Sequence, residues 1–397
     1  MNILFLTMNV FTDIEMHNIY SDLMKEFINN GHRPYIVTPR EKKTGEKTEL
    51  IDFEDYSLLK VQIGNTSDVS LIEKGISTVT LSSRFYNAVK SKLGHLKFDL
   101  ILYSTPPITL ATPVKKLKRY FKCRTYLMLK DIFPQNAVDL EMFSKSSPIY
   151  KYFRAKEKQL YKISDRIGCM SPANVEYVLK HNPEILSNRV EVCPNAIIPN
   201  NMVERSEYKR GLRKKHNIPD EATVYLYGGN LGKPQGIPFL MQCLRRLKNR
   251  DDSYFVICGN GSEYEKLERF IKEENSDNIK LINFLPKKEY DELVIGCDVG
   301  LVILDYRFTI PNFPSRVLSY MEYCMPVLIC SDTASDMGKI AEENGFGMFC
   351  KSNDTEAFEE CVKKINGMNL EKAGMIARTF LEEHYTVKVP YKKIMGE

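Results

Sequence analysis

The stretch that decides the fold is TVYLYGGNLGKPQG, residues 223–236. Its first five residues are β-branched, aromatic or aliphatic and predict a buried strand, and the apolar spacing after it predicts a helix over residues 237–248. Gly228, Gly229 and Gly232 lie between them, where glycine lets the backbone approach a ligand and the helix N-terminus offers donors to an anion. The stretch predicts a βα unit with a phosphate site; a tight turn that uses glycine for geometry alone is the alternative.

The same alternation of strand and helix runs through the whole chain. The first half opens with a strand at residues 2–7 and a helix at 14–29, and later strands are predicted at 35–38, 99–103, 125–129, 166–169 and 190–193. The second half continues with strands at 253–258, 279–282, 299–304 and 326–330. This pattern predicts α/β architecture: two Rossmann-like, doubly wound parallel-sheet domains facing a central cleft.

The domain boundary is predicted in the polar stretch 200–211, which reads as irregular. Residues 1–200 would form the N-terminal domain and residues 201–379 the C-terminal domain. A chain of 397 residues exceeds the size at which one hydrophobic core keeps growing, so two domains are expected.

The composition is that of a cytoplasmic protein. No N-terminal signal is visible, and the apolar runs are too short to span a bilayer. The ten cysteines form no C-x-x-C pair, which favours reduced thiols over a zinc site or a disulfide framework.

Two stretches combine basic and aromatic residues, residues 114–124 and residues 150–162. Such stretches on helices suit an anionic membrane surface, which predicts peripheral attachment at the inner face of the cell membrane. Ordinary solvated helix faces are the alternative for each. No nucleic-acid recognition motif is present, so nucleic acid is not expected as a partner.

A second anion site is indicated by FTIPNFPSRVLSYMEYCMP, residues 308–326. Pro314 ends an extended approach, Ser315 is a good N-cap, and Arg316 falls in the first turn of an amphipathic helix. A cation there opposes the helix dipole by roughly 0.3–1 kcal/mol. A docked phosphate would explain it, and a solvated arginine is the alternative.

Other candidate ligand contacts follow neighbouring strands. Asn230 and Lys233 offer a neutral donor and a point charge in the first glycine turn, and Gly259 and Asn260 belong to a second turn, CGNGS. The backbone at Leu285 is a candidate to bind a flat heterocycle, with an ordinary loop as the alternative.

The sequence contains no motif for binding a metal or a dinucleotide. There is no Asp-x-Asp and no H-E-x-x-H cluster, so neither a metal nor another cofactor is expected. The first strand runs into residues 7–17 without any glycine, which argues against a dehydrogenase fingerprint.

Two side chains of the N-terminal half are candidates for orienting a second substrate. Asp131 lies in LKDIFPQN, residues 129–136, at the carboxyl end of a strand, where catalytic groups collect. His17 lies with Asn18 and Tyr20 just after the first strand. Helix capping or turn formation is the alternative for Asp131.

The segments LKDIFPQNAVD, CMSPANVEYVLKHNP, VEVCPNAI, YGGNLGKPQG, DVGLVILDYRF and PNFPSRVLSYMEYCMPV resemble, in order, those of glycosyltransferase family 4 enzymes of the GT-B fold. The likeness covers nearly the whole chain. It is closest to the bacterial branch that builds surface polysaccharides, including N-acetylfucosamine transferases for O-antigen and capsule. The resemblance implies an acceptor in the N-terminal domain, a nucleotide-sugar, usually UDP-linked, in the C-terminal domain, retention of configuration, no metal, and a C-terminal segment at about 380–397 that packs back on the first domain.

Departures from the family pattern concern charged residues. Much of the family carries an arginine and a lysine near the positions of Asn230 and Gln235, and paired glutamates where Pro311 and Ser319 stand. Glu322, one helical turn beyond Ser319, is not placed on the donor by the pattern. The loss of the paired glutamates implies a changed choice of donor or weaker binding of the donor.

The sequence thus predicts a retaining, metal-independent glycosyltransferase that moves a sugar, such as an N-acetylated or deoxy hexose, to a lipid-linked saccharide. A nucleotide-sugar 2-epimerase of the same fold and a non-catalytic partner subunit are the alternatives. The predicted catalytic residues are Arg316, Lys233, Asp131 and His17. The predicted donor-binding residues are Gly229, Asn230, Gly232, Gln235, Gly259, Asn260, Leu285, Pro314, Ser315 and Ser319.

Overall fold

The computed structural model describes residues 1–65, 71–202 and 205–397. The chain forms two compact units. Unit 1 comprises Met1–Ile198 and Val387–Glu397, and unit 2 comprises Pro199–Thr386. The return to unit 1 begins later than the predicted residue 380, because the helix Leu370–His384 stays in unit 2, where it buries Ala377 and Leu381.

Unit 1 contains an eight-stranded sheet. Its strands are β1 Asn2–Leu6, β2 Arg33–Glu41, β3 Glu49–Asp52, β4 Ser57–Ile63, β5 Leu100–Ser104, β6 Arg124–Leu129, β7 Arg166–Cys169 and β8 Val190–Val192. They lie in the order β3-β4-β2-β1-β5-β6-β7-β8, and every pair is parallel except β3 with β4. Ile3, Leu4, Phe5 and Leu6 of β1 are fully buried, as expected for a parallel sheet covered on both faces.

The helices of unit 1 are α1 Ile19–Asn29, α2 Leu71–Leu93, α3 Ala111–Phe121, α4 Gln135–Asp139, α5 Pro148–Ile163 and α6 Pro172–His181. Helix α1 was predicted to begin at residue 14. It begins at Ile19 because the Asn18 side chain caps it, accepting hydrogen bonds from the backbone of Tyr20 and Ser21. This leaves His17 just outside the helix.

Unit 2 contains a six-stranded, fully parallel sheet. Its strands are β9 Thr223–Gly228, β10 Ser253–Cys258, β11 Ile279–Ile282, β12 Val299–Ile303, β13 Val327–Ser331 and β14 Gly347–Lys351, in the order β11-β10-β9-β12-β13-β14. The chain runs outward from β9 to β11 on one side and from β12 to β14 on the other. The carboxyl ends of β9 and β12 therefore form the switch point at which open α/β sheets bind ligands.

The helices of unit 2 are α7 Arg205–Lys215, α8 Ile237–Arg246, α9 Tyr264–Glu274, α10 Lys287–Gly296, α11 Arg316–Glu322, α12 Met337–Glu343, α13 Thr355–Asn366 and α14 Leu370–His384. The sequence reading missed β14, α10, α12 and α13. It was also wrong at residues 200–211, where α7 replaces the expected irregular stretch. Arg213 of this polar helix is buried and forms an ion pair with buried Asp298, a tertiary contact that local sequence does not reveal.

The last helix, α15 Lys388–Met395, packs in unit 1 beside α1. Tyr391 and Ile394 are buried, and the Tyr391 hydroxyl lies 3.1 Å from Nε2 of His32. No helix in the described part of the chain is long and apolar enough to cross a bilayer. The predicted architecture of two largely parallel α/β sheets is confirmed.

Candidate functional site

The first glycine turn follows β9 and packs directly on the second turn. Gly229 has φ +123° and donates its N–H to the carbonyl of Cys258 at 2.9 Å. A Cβ added to Gly259 would lie 1.8 Å from the Gly229 carbonyl oxygen, so the two backbones meet without room for a side chain. The turns at 228–236 and 258–262 therefore form one surface, with Asn230 and Asn260 exposed on it.

The turn ends in a short 3-10 helix, Lys233–Gln235, before α8 begins. Gly236 has φ +57° and lies between the two helices. The α-helix thus begins at Ile237, as predicted, and a 3-10 turn separates Gly232 from its N-terminus. Lys233 is exposed, and its ammonium has no partner among the residues that the structure describes.

Arg316, the first residue of α11, reaches back to this turn. Its Nη2 donates a hydrogen bond to Oε1 of Gln235 at 2.6 Å, and its guanidinium lies 4.9 Å from the centroid of the Tyr227 ring. Its Nη1 is buried and has no hydrogen-bond partner within the described parts of the chain. A Cβ added to Gly229 would lie 3.6 Å from the guanidinium carbon, which places the cation against the glycine backbone. The site therefore holds a positive charge with one donor unused.

Three tyrosines pack around the same turn. The Tyr320 hydroxyl accepts a hydrogen bond from the N–H of Gly228 at 2.9 Å, and the Tyr227 hydroxyl donates to the carbonyl of Asn230 at 2.8 Å. A Cβ added to Gly228 would lie 1.9 Å from the Tyr290 hydroxyl oxygen. Burial raises the pKa of all three phenols, so they stay neutral near neutral pH and do not compete with an anion for Arg316.

Helix α11 differs from the prediction at its start. Ser315 occupies the predicted N-cap position, but it is exposed and helical in conformation, and its side chain makes no capping hydrogen bond. The helix has only seven residues, with Pro314 half-buried before it and Ser319 half-buried within it. Arg316 is thus the group of this helix that contacts the glycine turn.

Glu322, at the end of α11, has a structural role. It is 3% exposed, and its carboxylate accepts a hydrogen bond from the backbone N–H of Asn200 at 2.8 Å. Arg378 donates to the carbonyls of Glu322 and Asn200, each at 2.8 Å. These contacts fix the first residues of unit 2, in agreement with a glutamate that does not serve the donor.

The loop after β11 combines a half-buried Leu285 with a Phe284 side chain that is 74% exposed. It lies two strands away from β9 in the sheet order, at the same carboxyl edge. The backbone at Leu285 remains a predicted contact for a heterocycle.

The two candidates of unit 1 have separate local partners. Nδ1 of His17 lies 3.0 Å from Oδ2 of buried Asp22, which also accepts a hydrogen bond from the N–H of Ile198. Nδ2 of Asn136 lies 2.9 Å from both carboxylate oxygens of Asp131. His17 and Asp131 follow β1 and β6, which are separated by β5, so they lie along one edge of the sheet.

Burial dominates the electrostatics of Asp131. It raises the pKa of the carboxyl to about 6, against the lowering effect of hydrogen bonds from the Ile132 backbone and the Asn136 amide, and nearby Glu157 raises it further. Asp131 therefore changes charge close to physiological pH. Oδ1 of Asn136 is buried and lacks a partner among the described residues.

Sequence reasoning did not identify Tyr227, Asn136 and Asp22 as parts of these sites. Asn136 lay inside the quoted motif LKDIFPQN, and its spacing of five residues from Asp131 was a signal for a local contact. In residues 1–65, 71–202 and 205–397, no group of three or more His, Cys, Asp or Glu side chains is arranged to hold a metal ion.

A comparison with protein families finds a match within unit 2. Residues 209–377 match the family model described as Glycosyl transferases group 1. The match includes both glycine turns and Arg316, and it spans most of unit 2.

Two relatives are similar along most of their length. "Probable glycosyltransferase WbjE" of Pseudomonas aeruginosa is 23% identical over 81% of this chain and 79% of its own. "Putative colanic acid biosynthesis glycosyl transferase WcaI" of Escherichia coli K12 is 22% identical over 72% of this chain and 70% of its own.

Solved structures share the fold over the whole chain. Sucrose-phosphate synthase from Thermosynechococcus elongatus has a TM-score of 0.75 at 14% identity, covering 100% of this chain and 98% of that one. Anabaena Alr3699/HepE, solved in complex with UDP and glucose, has a TM-score of 0.71 at 13% identity with the same coverage. The chain therefore has the GT-B fold of glycosyltransferases. Residues 209–377 are thus similar to the group 1 glycosyl transferases, and most of the chain is similar to two proteins that are named as glycosyltransferases.

Proposed function

We propose that this protein is a retaining glycosyltransferase that moves a sugar from a UDP-linked donor to a lipid-linked saccharide in the synthesis of capsule or O-antigen polysaccharide. The sugar we propose is an N-acetylated or deoxy hexose. Support for surface polysaccharide comes from the relative named for colanic acid biosynthesis, and support for UDP comes from the HepE complex.

The observation that carries the proposal is the unused Nη1 of Arg316 beside the glycine turn of unit 2. A diphosphate needs donors that are already oriented and partly shielded from water. Arg316 offers a permanent charge there, and the Gly229 backbone lets a phosphate approach it. Exposed Lys233 supplies a second, mobile cation at the rim of the turn.

Residues of this chain would perform the transfer as follows. Arg316 and Lys233 would stabilise the negative charge that grows on the diphosphate as the sugar leaves. Retention without a protein nucleophile requires the acceptor hydroxyl to attack from the face of the departing diphosphate, one of whose oxygens takes the proton. Asp131 and His17 would orient the acceptor on unit 1, held by Asn136 and Asp22.

The proposal includes a contact between an anionic membrane and residues 114–124 and 150–162, which lie mostly in α3 and α5. Some of their charge is already neutralised, because Lys118 pairs with Asp165 at 2.6 Å and Arg154 pairs with Glu157 at 2.6 Å. The exposed basic and aromatic side chains of these stretches are Lys116, Arg119, Tyr120, Lys122, Arg124, Lys151, Tyr152, Lys158 and Lys162. This set combines cations with two exposed aromatic rings, as an interfacial surface requires.

These exposed side chains can be tested by sedimentation with liposomes. Removing the charges of Lys116, Arg119 and Lys122 by substitution with glutamine should weaken sedimentation with anionic vesicles, since each cation contributes about 1 kcal/mol near such a surface. The loss should disappear in neutral vesicles and at high salt. Equal sedimentation of variant and wild type at low salt would remove this surface from the proposal.

The function itself is tested with the full chain and a panel of UDP-, GDP- and dTDP-sugars. We expect a rise in melting temperature with UDP-sugars, since a ligand that binds only the folded state stabilises it, and transfer to a lipid-linked acceptor that persists in EDTA. Epimerisation of UDP-N-acetylglucosamine without acceptor would instead indicate the 2-epimerase. Absence of any nucleotide binding, with co-purification of an active transferase, would indicate the partner subunit.

A further inference from the structure

We infer that Gln235 is a neutral tether for Arg316: its amide oxygen fixes the guanidinium and leaves the positive charge available to the diphosphate of the donor. This inference rests on the proposed function. It makes Gln235 a positioning residue that acts through Arg316, in place of the direct donor contact predicted from its place in the motif.

The contacts around Gln235 fix the orientation of its amide. Oε1 accepts the hydrogen bond from Nη2 of Arg316 at 2.6 Å and lies 3.5 Å from the hydroxyl of Tyr227. The guanidinium can only donate, so this bond fixes the oxygen side of the amide toward Arg316, while the single proton of the Tyr227 hydroxyl goes to the Asn230 carbonyl at 2.8 Å. The centroid of the Tyr227 ring lies 4.9 Å from the guanidinium carbon. An arginine side chain loses rotamer entropy when it is ordered, so two contacts that hold its plane lower the cost of ordering it on binding.

The neutrality of Gln235 distinguishes Arg316 from other arginines of unit 2. Arg213, Arg307 and Arg378 each pair with a carboxylate, from Asp298, Asp305 and Glu382. The groups that act on Arg316 are the tyrosines around it and the Gln235 amide, and no carboxylate among the described residues pairs with it. A glutamate at position 235 would hold the guanidinium in the same place, but it would neutralise the charge.

The unused Nη1 donor indicates what the tether is for. A buried donor without a partner destabilises a fold. The arrangement holds Nη2 of the guanidinium with Gln235 and leaves Nη1 without a partner among the described residues. A Cβ on Gly229 would lie 3.6 Å from the guanidinium carbon, so the missing side chain leaves space beside the cation for a phosphate oxygen. The ligand class is therefore a nucleoside diphosphate or another diphosphate ester, recognised through one charge-assisted hydrogen bond.

The test is calorimetric titration of the full chain with UDP and, separately, with inorganic pyrophosphate. The variants are Gln235→Met, which matches the size of glutamine without its acceptor, Gln235→Glu, Arg316→Met and the double variant Gln235→Met/Arg316→Met. Exposed Arg269→Met on α9 is the matched control for loss of an arginine outside the site. Melting temperatures of the unliganded variants show whether each one folds.

We expect Gln235→Met to weaken UDP binding about fivefold and Gln235→Glu by tenfold or more, since a charge-assisted bond is roughly twice as strong as a neutral one. Gln235→Met should have no further effect once Arg316 is methionine. The Gln235→Glu variant should keep the wild-type melting temperature and lose the salt dependence of UDP binding, which a purely structural residue would not do.

Three results would overturn the tether. If Gln235→Met weakens UDP binding equally with and without Arg316, then Gln235 contacts the donor itself. If Gln235→Glu binds UDP as tightly as the wild type, the charge of Arg316 is not used. If the wild type binds neither UDP nor pyrophosphate, the proposed function fails as well. Binding of pyrophosphate alone, with the same coupling, would support the tether and reject the nucleotide.

Discussion

In each unit a neutral amide side chain holds a charged side chain of the candidate site, but the hydrogen bonds run in opposite directions. Asn136 donates toward both oxygens of Asp131 at 2.9 Å, whereas Gln235 accepts from one edge of Arg316 at 2.6 Å. In both pairs one buried polar atom stays without a partner among the described residues, Oδ1 of Asn136 and Nη1 of Arg316.

The difference lies in which member of the pair keeps the unused atom. In unit 2 the charged group itself retains a free donor, which suits an anionic ligand. In unit 1 the free atom is an amide oxygen, an acceptor that suits a sugar hydroxyl. If the proposed function is correct, we expect unit 2 to recognise the charge of the donor and unit 1 the hydroxyl groups of the acceptor.

The largest expected effect tests the unit 2 half of this comparison. Arg316→Ala should lower turnover about 100-fold, as loss of one preorganised donor to a developing anion does elsewhere. UDP binding should weaken in parallel, while Asp131→Ala should keep UDP binding and lose transfer. Steady-state transfer assays beside UDP titrations check both. Equal loss of UDP binding in the two variants would break the comparison.

The next effect tests the backbone beneath Arg316. Gly259→Ala should lower the free energy of unfolding by about 1–3 kcal/mol, because its Cβ would lie 1.8 Å from the Gly229 carbonyl oxygen and force the two turns apart. UDP binding should fall with it. Gly211→Ala on α7 is the matched control: nothing lies within 4 Å of its Cβ, and alanine favours the helix by up to about 1 kcal/mol. Denaturant unfolding of both variants measures the contrast.

The charges of Asp131 and Arg316 should respond differently to pH. Since the pKa of Asp131 is raised from 3.8 to about 6, its carboxylate is lost in the folded chain as pH falls through 6, whereas Arg316 stays charged. Between pH 4 and 6 the folded state binds the extra proton, so this group lowers stability as pH rises through that window. We expect transfer to decline below pH 6 while binding of a UDP-sugar, whose diphosphate is a diester, stays constant.

Asp131→Asn is the control for that profile. It should lower transfer and remove the inflection near pH 6. An inflection that persists in this variant would assign the titration to another group.

The smallest effect on UDP binding is expected for Glu322, and it separates structural acids from ligand-binding residues in unit 2. Glu322→Ala should lower the free energy of unfolding by about 1–3 kcal/mol, because the N–H of Asn200 loses a charged acceptor. UDP binding to the folded variant should be unchanged. A loss of UDP affinity at constant stability would instead place Glu322 at the donor.

Much of the fold could be predicted from the sequence, and the reasons are local. Strands such as β1 and β12 are short, fully buried apolar runs, and glycine turns mark the end of β9 and β10. Helix α7 could not be predicted, because its polar face is held by the ion pair of Arg213 with Asp298, 85 positions along the chain.

Contacts between residues that are distant in sequence also limited the prediction of the sites. The glycine turn and Arg316 were visible as separate motifs, since each carries its own turn or helix signal. Their contact through Gln235 joins residues 81 positions apart and depends on the sheet order β10-β9-β12, which periodicity does not give. Asp131 was found from its place after a strand, but its raised pKa comes from burial, which only the structure supplies.

The return of the C-terminal segment makes unit 2 an insertion within unit 1. The N–H of Val387 donates to the carbonyl of Ile197 at 3.2 Å, so the chain departs from unit 1 and re-enters it at neighbouring backbone positions. A short linker from Ile198 to Val387 would span that gap and keep Tyr391 and Ile394 in the core of unit 1. A fragment that stops at residue 198 would lack those side chains and expose the apolar surface that they cover. Unit 1 should therefore be produced as a spliced chain, with residues 199–386 replaced by the linker.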